Sequence, residues 1–137
     1  MVKKLNLGCG NDIRKDFINL DVVKLPGVNI VHDLNKLPLP FKDESFDYIL
    51  AKDVLEHVND YVSLLKELHR ILRKGGIIKI IVPHYRSRNA YTDPTHKTFF
   101  AVNTLKFFEK SHDRNYYFDF NFEKVVIKKI DIKIWVK

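Results

Sequence analysis

Phe46-Asp47-Tyr48-Ile49-Leu50-Ala51, then a stripe at Val58, Tyr61, Val62, Leu65, Leu68 and Leu72, then Gly75-Gly76 and Ile77-Ile78-Lys79-Ile80-Ile81-Val82: this run decides the fold. The first segment is strand-length and follows the polar turn Lys42-Asp43-Glu44-Ser45. The stripe has three- and four-residue spacing, so it predicts one amphipathic helix. Asn59 or Asp60 can cap its start, Arg73-Lys74 complement the dipole at its end, and Gly75-Gly76 can stop it. Ile77–Val82 is almost continuous Ile and Val around Lys79, the composition of a central parallel strand covered on both faces. Strand, helix and strand make a βαβ unit, and its crossover is right-handed.

Working outward, the same alternation continues upstream. Lys3–Leu7 leads into Gly8-Cys9-Gly10, Phe17–Val22 is a second apolar run, and Val28–Val31 a third after Pro26-Gly27. Downstream of Pro83 the pattern loosens. His84–Lys97 reads as a loop, Val102–Lys110 as a short helix, and Tyr116–Phe122 and Val125–Val136 as two strands with a turn near Asn121–Lys124. The expected architecture is α/β: a Rossmann-like, doubly wound, mostly parallel sheet ending in an antiparallel strand pair. A length of 137 residues fits one domain, 1–137, with a first part to Val82 and a second from Pro83.

Composition excludes several classes. The chain is 45% hydrophobic and 30% charged, hence globular rather than disordered. A single cysteine forms no internal disulfide and no thiolate zinc cluster. No apolar run approaches the roughly 18–20 residues of a membrane span. The opening Met1–Gly8 runs straight into a strand and reads as no signal peptide, so a cytoplasmic setting is expected. The net charge of +7 is uneven: residues 1–82 carry +2 and residues 83–137 carry +5. That asymmetry suits an anionic partner, a small metabolite or RNA, and also suits a solvated lysine surface.

Strand one ends in Leu5-Asn6-Leu7-Gly8-Cys9-Gly10-Asn11. Two glycines let backbone approach a ligand closely. The dinucleotide fingerprint needs a third glycine at position 13, which is Ile13, so a nicotinamide-dependent oxidoreductase is disfavoured. Asp21 ends the second strand, where an acidic residue accepts from ribose hydroxyls in doubly wound nucleotide sites. Asp33 follows the third strand, placed to accept from an exocyclic amine, with Leu34 and Leu37 offering apolar surface to a ring. Either aspartate alone is an ordinary loop cap. Glycine, Asp and Asp at three successive strand tips form a set.

These motifs, with Asn19-Leu20-Asp21-Val22, Asp33-Leu34-Asn35-Lys36-Leu37-Pro38, Asp43–Ile49, Val54-Leu55-Glu56-His57-Val58 and Leu68–Gly76, resemble class I S-adenosylmethionine-dependent methyltransferases. The likeness is greatest to the type 11 group and covers about residues 3–83. It implies S-adenosylmethionine bound at the C-terminal ends of strands one to four. The turn Leu7-Gly8-Cys9-Gly10 would pass under the methionine part, Asp21 would hold the ribose, and Asp33-Leu34 the adenine. Asp53 would approach the methionine moiety or the acceptor. The stretch from Gly10 to Asp21 is too short for the family's usual first helix, so the floor of the site is expected to be a loop. The chain also begins at strand one, so a homo-oligomer or partner is expected to complete the pocket; a non-catalytic cofactor-binding or RNA-binding subunit is the alternative.

Methyl transfer from a sulfonium is an in-line displacement, so the protein supplies alignment, and a base only where the acceptor must lose a proton. His84 follows strand five, and His96 lies in Asp93-Pro94-Thr95-His96, a segment similar to one that resembling proteins carry. His96 is the better acceptor-side candidate, and His84 the second. Glu56 and His57, at the entry to the long helix, read as structural. Cys9 is not placed like the attacking cysteine of cytosine-C5 methyltransferases, and Lys52-Asp53-Val54 is not the Asn-Pro-Pro-Tyr type signature of base amino-group methylation. His84 and His96 stand twelve apart in a loop, so no metal is expected. Arg86, Arg88 and Lys97, interleaved with Tyr85, Tyr91, Phe99 and Phe100, could form a basic aromatic acceptor surface.

Overall fold

The computed structural model describes residues 2–128 and, as backbone strand alone, residues 132–135. Among the described residues seven strands form one sheet: β1 (Lys4–Leu7), β2 (Ile18–Asp21), β3 (Ile30–Val31), β4 (Phe46–Lys52), β5 (Leu72–Ile81), β6 (Lys124–Ile127) and β7 (Ile132–Trp135). Their order is β3-β2-β1-β4-β5-β7-β6. The pairs among β1 to β5 are parallel, and β7 runs antiparallel to both neighbours. The Rossmann-like sheet with an antiparallel C-terminal pair is therefore present.

Register explains where the core lies. Leu5, Leu7, Leu20, Ile49, Ala51, Ile78 and Ile80 align across four strands on one face, and all are fully buried. Against this face packs helix α1 (Tyr61–Ile71) through Leu64, Leu65, Leu68 and Ile71. Asp60 caps α1: its carboxylate accepts from the Ser63 amide and hydroxyl at 3.1 and 2.6 Å, which holds the carboxyl below its usual range. Glu67 ties α1 to the loop before β4, accepting from the Leu39 amide at 2.8 Å and from Arg70 Nε at 2.9 Å.

The opposite face holds two buried asparagines. Asn6 Nδ2 donates to Asn19 Oδ1 at 2.9 Å and to the Asp12 carbonyl at 2.7 Å. Asn19 Oδ1 accepts from the Arg14 amide, and its Nδ2 donates to the Arg14 carbonyl, both at 3.0 Å. These side-chain amides satisfy backbone groups of Asp12, Arg14 and Phe17 within residues 8–17, which carry no helix. The expected loop floor is thus pegged to the sheet by asparagine rather than covered by a crossover helix.

Three expectations are corrected. The helix ends at Ile71, not at Gly75-Gly76: Leu72 already pairs with Phe46, and the register then jumps to Tyr48 opposite Ile77. The intervening Arg73–Gly76 form a bulge, with Gly75 at φ +79° and Arg73 paired to Asp47 at 3.0 Å, while His69 and Arg70 occupy the last helical turn. Val102–Lys110 forms only a 3-10 turn over Thr104–Phe108. Tyr116–Phe122 is no strand, because its aromatic residues stack over the core: Phe118 lies 4.4 Å from Phe108 between ring centroids, and the Phe122 amide donates to the Phe108 carbonyl at 2.8 Å. The antiparallel pair comes entirely from the last run, as a β6–β7 hairpin; positions 129–131 and 136 of that run lie outside the described residues. His84–Lys97 is a loop carrying one helical turn, α2 (Asn89–Thr92). Among the described residues no helix is long and apolar enough to cross a membrane.

His69 packs on α1 with its ring 5.4 Å from Phe122 and 6.0 Å from Phe120. Burial pushes its pKa below the ordinary value, against a smaller opposing effect of a hydrogen bond from the ring to the Asn121 backbone. A histidine buried neutral binds its proton more readily when unfolded, so its contribution to stability is complete above the unfolded value and is lost as pH falls through and below it. Thermal melts at about pH 7.5 and about pH 5.5 should show a larger drop for the wild type than for His69→Leu. Equal drops would remove His69 from the acid sensitivity of the fold.

Candidate functional site

The parallel strands β1 to β5 all present their C-terminal ends to one edge of the sheet, and two adjoining cavities open there. The first, about 260 Å³, is lined by Gly8, Asp21, Asp33, Leu34, Asp53 and Val54, among others. Five of the residues proposed from sequence thus meet in one place. Gly8 has φ +61°, and a Cβ there would lie 2.7 Å from Val54 Cγ2. Gly10 has φ +51° and faces open space on its Cβ side. Asp21 Oδ2 accepts from the Gly10 amide at 2.7 Å and Oδ1 from the Val23 amide at 3.1 Å, so the carboxylate shapes the glycine turn and retains lone pairs toward the cavity. Asp33 Oδ1 accepts from the Asn35 amide at 2.9 Å. Leu7, Cys9 and Gly10 are not among the lining residues: Leu7 points into the core, and Cys9 is buried with its thiol pushed up by burial and by Asp21.

The second cavity, about 640 Å³, lies between the tips of β4 and β5 and the following loop. Its lining includes Asp53, His57, His84, Ser87, Asn89, Asp93 and His96. Asp53 and His57 border both cavities. Asp53 sits at φ +56°, a conformation costly for a residue with a Cβ, and its amide donates to the Ile81 carbonyl at 2.8 Å, which fixes it between β4 and β5.

The three histidines differ in which nitrogen bears the proton. The Arg86 amide donates to His84 Nδ1 at 3.1 Å, which leaves neutral His84 with Nε2–H as a donor. His96 Nδ1 lies 2.9 Å from the Ala90 carbonyl, which can only accept, so Nδ1 carries the proton and Nε2 a lone pair. The Thr95 hydroxyl donates to Asp93 Oδ1 at 2.6 Å and therefore accepts from His57 Nδ1 at 2.9 Å. His57 Nε2 is then also a lone pair. The hydrogen bonds from Thr95 hold the Asp93 carboxyl below its usual range. The basic residues Arg86, Arg88 and Lys97 are exposed and absent from the lining.

His57, expected to be structural, lines both cavities. The helix begins four residues later, so His57 lies in the turn between β4 and α1, its ring edge-on to that of His96 at 4.6 Å. Its neighbour Glu56 is fully buried with no partner for either carboxyl oxygen. Burial first, and Asp53 and Asp93 in addition, push its pKa up to about 7, against its own backbone hydrogen bond and His96.

Residues 5–80 match the methyltransferase domain family. A demethylmenaquinone methyltransferase of Lysinibacillus sphaericus is 36% identical over 67 residues, covering 44% of this chain and 28% of that protein. An uncharacterized protein of Methanocaldococcus jannaschii is 42% identical over 92 residues, covering 57% of this chain and 40% of that protein. The chain thus spans well under half the length of these curated relatives. The fold is similar to that of a Thermotoga maritima SAM-dependent methyltransferase described as a possible histamine N-methyltransferase, with a TM-score of 0.68 at 20% identity over 100% of this chain and 83% of that one. An Aquifex aeolicus SAM-dependent methyltransferase gives 0.64 at 15% identity, over 98% and 81%. With the family model matching more than half of the chain and the parallel strands carrying both cavities at their C-terminal edge, this chain belongs to the methyltransferase domain family, whose methyl donor is S-adenosylmethionine.

Proposed function

We propose that this domain binds S-adenosylmethionine in the smaller cavity and methylates an acceptor held in the larger one. The carrying observation is the shared wall: Asp53 and His57 line both cavities, so a donor in one and an acceptor in the other meet across it. The cofactor supplies the activated methyl group. The residues suit it: the Asp21 carboxylate retains acceptor capacity for ribose hydroxyls, Asp33 and Leu34 offer an acceptor and an apolar contact for the adenine, and the Gly8–Gly10 turn lets backbone come close. The Leu7 and Cys9 contributions are backbone only. Residues 1–82 serve the donor and residues 83–137 the acceptor.

On the acceptor side, His84 presents an N–H and His96 a lone pair, one to hold and one to engage the acceptor's reacting heteroatom. Arg86 and Arg88 alternate along the chain with the lining residues Ser87 and Asn89, so an anionic part of the acceptor, in a metabolite or RNA, meets them at the rim rather than the floor. A second copy of the chain or a partner protein covers the open edge.

A saturating ligand shifts the folding equilibrium in proportion to its affinity. S-adenosylmethionine or S-adenosylhomocysteine at a hundredfold excess over Kd should add about 2.7 kcal/mol and raise the Tm by several degrees, while NAD leaves it unchanged. No shift at millimolar S-adenosylmethionine would sink the cofactor assignment. Radiolabelled methyl transfer to fractionated cell extract then tests turnover; cofactor binding with no labelled product across fractions would favour a non-catalytic subunit.

A further inference from the structure

We propose that His57, Asp93 and His96 form a binding site for one divalent transition-metal ion of the zinc class, its open coordination position facing the acceptor cavity. Ligand atoms of the three residues lie within 4.8 Å of one another. His57 Nε2 is 3.9 Å and His96 Nε2 3.8 Å from Asp93 Oδ2. Both nitrogens bear lone pairs, because their Nδ1 protons are committed to Thr95 and Ala90. Two imidazole lone pairs and a carboxylate oxygen thus converge with no proton among them. Such an arrangement is repulsive until a cation fills it.

The distances select the geometry. Ligands about 2.1 Å from a tetrahedral ion stand roughly 3.4 Å apart, so the two histidine-to-Asp93 distances of 3.9 and 3.8 Å need to close by only about half an ångström. An octahedral ion brings neighbouring ligands to about 3.0 Å and demands more. The outer contacts are those of metal-bound histidine: one Nδ1–H on a backbone carbonyl, the other on a hydroxyl that is itself bonded to the ligating carboxylate. Exposure grades from 9% for the His96 side chain to 35% for His57 and 44% for Asp93, so the site has a buried side and an open one. Three protein ligands and a free position is the pattern of reactive rather than purely structural zinc.

The adjoining cavity lining contains two aspartates and three histidines but neither lysine nor arginine, although the whole chain carries +7. A divalent ion supplies the charge that the side chains do not. It would also give an acceptor with an oxygen or nitrogen donor a point of attachment beside Asp53, so the His96 lone pair acts through the metal rather than as a free base.

Chelator-treated protein titrated with Zn²⁺ alone, by calorimetry, tests this without reading methyl transfer; Co²⁺ in its place reports geometry by its visible absorption. One ion per chain is expected, with tetrahedral cobalt intensity. His96→Ala and Asp93→Asn should each weaken binding by at least ~100-fold, and Thr95→Val, which removes the hydroxyl that orients both the His57 ring and the Asp93 carboxylate, by about 10–100-fold. Asp93 and Thr95 are surface positions, so those variants fold even where His96→Ala does not. No binding at ~100 μM Zn²⁺, or binding untouched by Asp93→Asn and Thr95→Val, overturns the proposal. Failure here leaves the cofactor cavity standing, and the absence of an S-adenosylmethionine shift leaves the metal site standing.

Discussion

Asp21→Ala is expected to lose S-adenosylmethionine affinity by about 10–100-fold while its fold survives. The magnitude follows from charge. Hydrogen bonds to an ionised acceptor contribute roughly 1.5–3 kcal/mol, and a ribose offers two hydroxyls to one carboxylate. Part of that capacity is already engaged, since Oδ2 holds the Gly10 amide and Oδ1 the Val23 amide. The loss is therefore nearer one strong bond than two, together with some disorder of the glycine turn. Asp21→Asn separates the contributions: its carbonyl can still accept, but the charge is gone, so it should fall between wild type and alanine. Stability changes little, because the Gly10 amide released by the substitution is only half buried and water can replace its partner. Calorimetric titration with S-adenosylhomocysteine, beside thermal melts of both variants, checks the prediction. Unchanged affinity in Asp21→Ala would take Asp21 out of the site.

Local chemistry explains which features could be read from sequence. Gly8, Asp21, Asp33 and Asp53 each terminate a strand whose apolar run is visible in the chain, and parallel strands bring their C-terminal ends to one edge by topology alone. Periodicity and turn residues therefore carried the sheet and the strand tips at Gly8, Asp21 and Asp33, while Asp53 rested on the family resemblance. The second cavity depends on pairings that no spacing announces. Thr95 orients His57 from 38 positions away, and Ala90 fixes His96 through a backbone carbonyl, a group that every residue possesses. Asn6 and Asn19, polar positions within apolar strands, together stand in for a helix by bonding backbone groups of the loop above them. Tyr116–Phe122 misled for the opposite reason. Aromatic residues favour strands only as far as they fit a half-buried surface, and the same residues serve equally as a lid when Phe108 and Phe122 give them rings to stack on.

Gly8→Ala should lower stability by about 2–5 kcal/mol, whereas Gly10→Ala should cost only about 1–2 kcal/mol, although both glycines have positive φ. The backbone contribution is shared: a residue with a Cβ in the left-handed region loses about 1–2 kcal/mol. The difference lies in what the new methyl meets. At Gly10 nothing stands within 4 Å, but at Gly8 the methyl would lie 2.7 Å from Val54 Cγ2. Val54 is buried in the core and β-branched, so its restricted χ1 and its packed neighbours resist its moving aside. Overpacking of that kind adds about 1–3 kcal/mol. The two positions also separate function from folding. Gly10→Ala stays folded while placing a methyl group in the open space beside the turn, so any loss of cofactor affinity there is steric and not a consequence of unfolding. The decisive measurement is a double-mutant cycle. Val54→Ala removes the clashing Cγ2, so Gly8→Ala in that background should cost less than in wild type by roughly 1 kcal/mol or more, a coupling well above the ~0.5 kcal/mol scatter of independent sites. Strict additivity would mean that Gly8 is required for its backbone conformation alone and that the contact with Val54 sets nothing.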